Sequence, residues 1–225
     1  RQRARLWLAG FSPRLTPVEQ EDLLQQAFDM ARPNVNFFVL VILSCLIASF
    51  GLLQNSPAVI IGAMLVAPLM SPLLAFAAGL VTGRLRLMQS AAMNMMKGIA
   101  WTLAIAAGVG LLFPVGGVTA EMAARAQLSL LDVGVAVASG AAGAYATVRT
   151  ENEALATRVA IAAALVPPLC SVGLAMAFGS WAVAGRAALL CVTNIVSICL
   201  ASAMVFLWLG VRPSSGGEGG RRPWL

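Results

Sequence analysis

The chain has no histidine, one tyrosine, and charged residues at only 11% of its 225 positions. Without imidazole, histidine-based acid–base chemistry and histidine metal ligation are excluded. Soluble domains carry about 25% charged residues, so this chain cannot present an ordinary wetted surface. Carboxylates are scarce within the apolar stretches: Asp132 lies near the end of one of them, whereas Glu151 and Glu153 fall in a loop beside Arg149 and Arg158. Cation paths and proton relays ordinarily use buried carboxylates, so the scarcity argues against both. No HExxH, GxSxG or phosphate-binding glycine loop is present, nor a carboxylate pair on one helix face, so neither enzymatic activity nor a cofactor is expected. The first residues have no small-residue cleavage site and do not resemble a signal peptide. Cys45, Cys170, Cys191 and Cys199 all fall inside apolar runs, where they read as packing residues rather than disulfides or metal ligands.

What is there is apolar: 60% of the residues are hydrophobic. About 20 such residues in sequence cross a bilayer core of about 30 Å, and six stretches qualify, at 35–53, 57–82, 88–113, 128–148, 155–179 and 183–209. Before them, Thr16-Pro17-Val18-Glu19 predicts a capped helix from Pro17 to Ala31. Its face of Val18, Leu24, Phe28 and Ala31 suits an interfacial helix. The organisation expected is an amphipathic segment at 1–32, a first membrane unit at 33–113, an extracytoplasmic loop at 114–127, a second membrane unit at 128–211 and a flexible tail at 212–225. The chain begins at Arg1 without Met, which makes an upstream soluble domain an expectation.

The two membrane units repeat each other. Laid without a gap, residues 59–98 and 159–198 are identical at 14 of 40 positions, where about 3 would arise by chance. The matches include Leu65-Val66, Pro68-Leu69, Ser71, Gly79, Arg86 and Asn94 against Leu165-Val166, Pro168-Leu169, Ser171, Gly179, Arg186 and Asn194. Arginines place both termini in the cytoplasm: Arg1, Arg3, Arg5, Arg14, Arg32, Arg84, Arg86, Arg149, Arg158, Arg212, Arg221 and Arg222 collect on one side, and only Arg125 and Arg186 on the other. Three spans per unit then insert the second unit upside down. The fold expected is an all-α polytopic membrane protein, six transmembrane helices in two inverted three-helix repeats, with proline-broken second and fifth helices.

The candidate permeation residues follow from that symmetry. Pro68 and Pro72 interrupt the second span, and Pro167 and Pro168 the fifth, each proline removing an amide donor at a cost of about 3 kcal/mol in a regular helix. In lipid the freed carbonyls need protein or a wet cavity beside them. One reading is a pair of broken helices whose ends, with Ser71 and Ser171, line a site; the other is two kinks that merely pack. Asn94 and Asn194 would cap freed carbonyls, coordinate a permeant, or join helices. Lys97 is the one deep cation, and Arg86 and Arg186 are anchors or basic vestibules. Together with positive half-helix ends, these lean towards an anionic or neutral permeant. Gly134, Ala138, Ala142 and Gly143, beside Ser139 and Gly140, predict close approach to another helix.

The run Asn55-Ser56-Pro57-Ala58-Val59-Ile60-Ile61-Gly62-Ala63-Met64-Leu65-Val66-Ala67-Pro68-Leu69-Met70-Ser71-Pro72, after Gly51-Leu52 and followed by Ala164-Leu165-Val166-Pro167-Pro168-Leu169, resembles the bacterial "domain of unknown function 389" family. The resemblance implies a multi-span inner-membrane protein, often with a soluble region, and no particular substrate. The function expected is therefore a channel or secondary transporter for a small ion or solute. Its expected partners are the lipid bilayer and further copies of itself as a homo-oligomer, with no nucleic acid. The alternative is an oligomeric membrane sensor or scaffold coupled to a soluble domain.

Overall fold

A computed structural model describes residues 15–114, 116–149 and 165–211. The described residues form nine helices and no strand. In chain order they are α1 (Pro17–Ala31), α2 (Val35–Leu53), α3 (Pro57–Val66), α4 (Met70–Thr82), α5 (Leu85–Leu112), α6 (Ala120–Ala124), α7 (Leu130–Arg149), α8 (Val166–Ala177) and α9 (Trp181–Trp208). The predicted loop at 150–153, the first half of the fifth span and the tail at 212–225 lie outside the described residues.

Helix α1 opens as its sequence dictates. The Thr16 hydroxyl accepts from the Glu19 amide at 3.3 Å while Glu19 Oε2 accepts from the Thr16 amide at 2.7 Å, so two amides of the open first turn are satisfied reciprocally. Its buried face differs from the expected one. Leu23, Ala27 and Ala31 are buried against the bundle, with Leu24 and Phe28 beside them, whereas Val18 is 68% exposed. The chain is also tied to its own far end: the Leu15 amide donates to the Leu209 carbonyl at 2.9 Å, and Gln20 Nε2 to the Gly210 carbonyl at 2.8 Å. Residues 15 and 209 therefore lie at one end of the molecule.

Four helices, α2, α5, α7 and α9, are long and apolar enough to cross a membrane, and the pair α3–α4 makes a fifth candidate. That pair is bent by 53° at residues 67–69, so the second predicted span is broken where the sequence placed the break. Helices α5 and α9 have 28 residues each, about 42 Å of helix, enough to cross a core of about 30 Å with tilt.

Both α4 and α8 pack against α5 and against α9, so the two short helices share the same pair of long walls. Glycines set the closest approaches. A Cβ on Gly173 of α8 would stand 2.7 Å from Ala106 Cβ and 2.8 Å from the Leu103 carbonyl of α5. One on Gly140 of α7 would stand 2.5 Å from the Ile198 carbonyl of α9, where Ser202 also donates its hydroxyl to the Gly140 carbonyl at 2.9 Å. The close approach predicted for the fourth span is thus real, but its residues are Ala136, Gly140, Gly143 and Ala144, which are buried. Gly134, Ala138 and Ala142 face outwards. The interhelical contact selects the neighbouring stripe because only there does the missing side chain admit a backbone.

The turns reveal how the two units correspond. Gly83 ends α4 and Gly179 follows α8, both at φ +69° in the left-handed region, and in each turn the next amide bonds back into the helix: Arg84 to the Gly79 carbonyl at 3.1 Å, Ser180 to the Ala175 carbonyl at 2.8 Å. This pairing of Gly83 with Gly179 is one helical turn out of step with the ungapped sequence repeat, which pairs Gly79 with Gly179. A slip of one turn leaves each helix face directed as before, so sequence identity and turn geometry coexist.

Candidate functional site

The break between α3 and α4 is built from three residues. Ala67 leaves the helix in an extended conformation, Pro68 has no amide to offer, and Leu69 turns back into helical geometry. The carbonyls at the end of α3 lose their intrahelical donors. One of them is recovered from outside: the buried Ser44 hydroxyl of α2 donates to the Ala63 carbonyl at 2.8 Å. Across the break, Leu69 lies against Gly98 of α5, where a Cβ would stand 3.0 Å from Leu69 Cδ2. The α5 backbone therefore closes on the break beside Phe37 of α2, whose ring also meets Gly98.

Asn94 lies one turn before Gly98. It is 2% exposed, and its amide nitrogen and oxygen have no hydrogen-bond partner among the described residues. The capping role considered for Asn94 is thus filled by Ser44, a residue that sequence reasoning missed. Its signal was legible, since a hydroxyl inside an otherwise apolar span needs a partner.

Pro72, Pro167 and Pro168 occupy first turns, Pro72 in α4 and the other two in α8. First-turn amides have no intrahelical acceptor, so proline there starts a helix at little cost. Of the four candidate prolines, Pro68 alone sits within the observed break. Ser71 is half-buried in the first turn of α4; Ser171, in α8, is fully buried and its hydroxyl has no partner among the described residues.

Helix α2 joins the two centres. Next to Ser44, Cys45 donates its thiol to the Thr102 carbonyl of α5 at 3.3 Å, and Cys170 of α8 reaches Cys45 with 3.5 Å between the sulfurs. Adjacent side chains of one helix thereby touch the first break and the start of α8. All four cysteines are buried free thiols, as their apolar settings predict.

A cavity of about 500 Å³ reaches the second centre. Its walls comprise Ile61 and Met64 of α3, Pro168 of α8, and Leu190 and Asn194 of α9; its polar rim comprises Glu121, Arg125, Gln127 and Asp132. Asn194 is 4% exposed. The rim is held in place locally: Arg125 pairs with Glu121 at 3.6 Å, the Glu121 amide donates to Asn55 Oδ1 at 3.1 Å, the Thr119 hydroxyl bonds the Leu52 carbonyl at 2.8 Å, and Asp132 Oδ2 accepts from the Ser129 amide at 2.9 Å. The segment around α6 is thus fastened over the α2–α3 turn, and the cavity runs from it towards the middle of α9.

The cationic candidates stand apart. Lys97 is on an exposed face of α5 together with Met93, Met96 and Trp101, and Arg86 and Arg186 are exposed near the starts of α5 and α9. None of the three lines the cavity.

A sequence profile described as a domain of unknown function, DUF389, matches residues 64–200. The chain belongs to the DUF389 family. The matched stretch begins at Met64, one turn before the α3–α4 break, and takes in both centres and α9 as far as Leu200. An uncharacterized protein of Methanocaldococcus jannaschii is 25% identical over 194 residues, covering 86% of this chain; the chain spans 60% of that relative's length. No solved structure matches.

Proposed function

We propose that the protein is a membrane transport protein, channel or carrier, for a small ion or solute, with its path between the break within residues 66–72 and the proline-led start of α8 at residues 166–171. The observation that carries the reading is the cavity running from the α6 segment to Pro168 and Asn194, beside a second span bent by 53° at Pro68. Broken helices in lipid are tolerated where protein or water covers the freed backbone, and transporters use such breaks as sites near the midplane.

Chain parity supports six crossings in two inverted units. Residues 15 and 209 are hydrogen-bonded at one end, so an even number of crossings separates them, and five spans do not satisfy this. The apolar stretch read from the sequence at 155–179, of which α8 is the described part, is the candidate for the sixth. The sharing of the walls α5 and α9 by α4 and α8 fits two units related by a two-fold axis. Arginine distribution then puts the shared end in the cytoplasm of a prokaryotic cell and the α6 end outside. The exposed face of Gly134, Ala138 and Ala142 suits contact with a second copy in a homo-oligomer.

Lys97 lies on an outward face, so the lean towards an anionic or neutral permeant is left with the positive half-helix ends alone. A sensor or scaffold remains the competing reading, favoured by α1 docking on α4, α5 and α7, where a soluble domain would pull on the bundle.

Purified protein in liposomes, assayed across cations, anions and neutral solutes, tests the proposal. Flux is expected for at least one class, falling at least tenfold in Pro68→Ala, which restores an amide at the break. Tight liposomes under every gradient would favour the scaffold, and unchanged flux in Pro68→Ala would reduce the break to a kink.

A further inference from the structure

We infer that the cavity between α6 and Asn194 binds a small organic cation with an apolar body, such as an alkylammonium. The inference rests on reading this cavity as the outer mouth of the path. Three features of its lining select the ligand. First, about 500 Å³ is far more than a dehydrated inorganic ion fills and falls within the range of organic-ligand sites. Second, its walls include Ile61, Met64, Val135 and Leu190, apolar surfaces that an alkyl body covers and a bare ion leaves wet. Third, its charged groups among the described residues are two carboxylates and one guanidinium, and the guanidinium of Arg125 is already engaged with Glu121 at 3.6 Å.

Among the described residues of the lining, the charge left without an ion-pair partner is Asp132. One of its oxygens accepts the Ser129 amide, which fixes the carboxylate in the first turn of α7, and a carboxylate has further lone pairs for an ammonium. Arg186 lies one turn above Leu190 on α9 but is exposed and outside the lining, so solvent and salt screen its repulsion. Asn194, 4% exposed at the deep end, is a polar side chain on an otherwise apolar wall. A cation would therefore place its charge at the α7 rim and its alkyl body between α3 and α9.

The test is calorimetric titration of the full chain in nanodiscs with pentylammonium, pentanoate and pentanol, against empty nanodiscs. Pentylammonium is expected to bind at least tenfold more tightly than the other two, with each methylene from propyl to pentyl adding up to about fourfold. Asp132→Asn keeps an oxygen for the Ser129 amide and removes only the charge, so it is expected to cost roughly tenfold in pentylammonium affinity with an unchanged Tm. Adding Glu121→Gln leaves Arg125 as the only charge of the described lining, and the double variant is expected to prefer pentanoate. Asn194→Leu, which fills the deep end, is expected to weaken pentylammonium binding more than propylammonium binding. Equal affinity for the three probes, or an Asp132→Asn variant that binds as the parent does, overturns the inference. Pentylammonium binding without flux of any solute sinks the transport reading alone, and flux of another solute without such binding sinks this inference alone.

Discussion

The sulfurs of Cys45 and Cys170 lie 3.5 Å apart, joining the middle of α2 to the first turns of α8. A mercuric ion, which binds two thiolates and releases two protons, is expected to bridge them. After treatment with HgCl₂ and unfolding, Cys45 and Cys170 should resist alkylation together while Cys199 reacts. In Cys45→Ser, Cys170 should lose that protection; mass spectrometry of the alkylated peptides reads both results, and independent labelling of the two thiols would refute the α2–α8 contact.

The hydrogen bond from Ser44 to the Ala63 carbonyl is expected to matter in proportion to its isolation from water. Ser44→Ala leaves that carbonyl without its side-chain donor at the end of α3 and should destabilise the protein by about 1–2 kcal/mol. Denaturant titration in mixed micelles measures it. A difference under about 0.3 kcal/mol would mean that water or another group reaches the break.

Gly140 and Gly134 lie on one helix but face different surroundings. A Cβ at Gly140 meets the Ile198 carbonyl at 2.5 Å, and at Gly134 it meets nothing within 4 Å. Gly140→Ala should destabilise the bundle by about 2 kcal/mol or more through forced separation of α7 and α9. Gly134→Ala should be neutral or stabilising by up to about 1 kcal/mol, because alanine favours the helix. Paired thermal melts decide the matter, and equal effects would contradict the packing.

The proposed membrane sidedness rests on the bond between Leu15 and Leu209 together with arginine placement. Single cysteines at Thr16 and Gly116 should react with an impermeant maleimide from opposite faces, Gly116 from outside in right-side-out vesicles and Thr16 only in inverted ones. Labelling of both from one face would refute the odd number of crossings between them.

The sequence repeat, the limits of the described spans and the broken second span were legible because they depend on local chemistry. Apolar runs declare length, Thr16-Pro17-Val18-Glu19 declares a start, and Pro68 declares a missing amide. The site was legible only in outline. Asn194 and Pro168 were marked by duplication, and they line the cavity together with Asp132. Ser44, Glu121 and Arg125 were not marked, because their importance comes from what they touch across the fold.

The amino-acid sequence by itself determined that this chain has apolar stretches long enough to cross a membrane and where one of them breaks, since burial cost and amide geometry act residue by residue. Tertiary structure decided which small-residue stripe meets α9, which hydroxyl satisfies the broken end of α3, and that Lys97 turns outwards while Asp132 joins the cavity. Those outcomes depend on which helix stands opposite, and a helical face has no fixed partner until the helices pack.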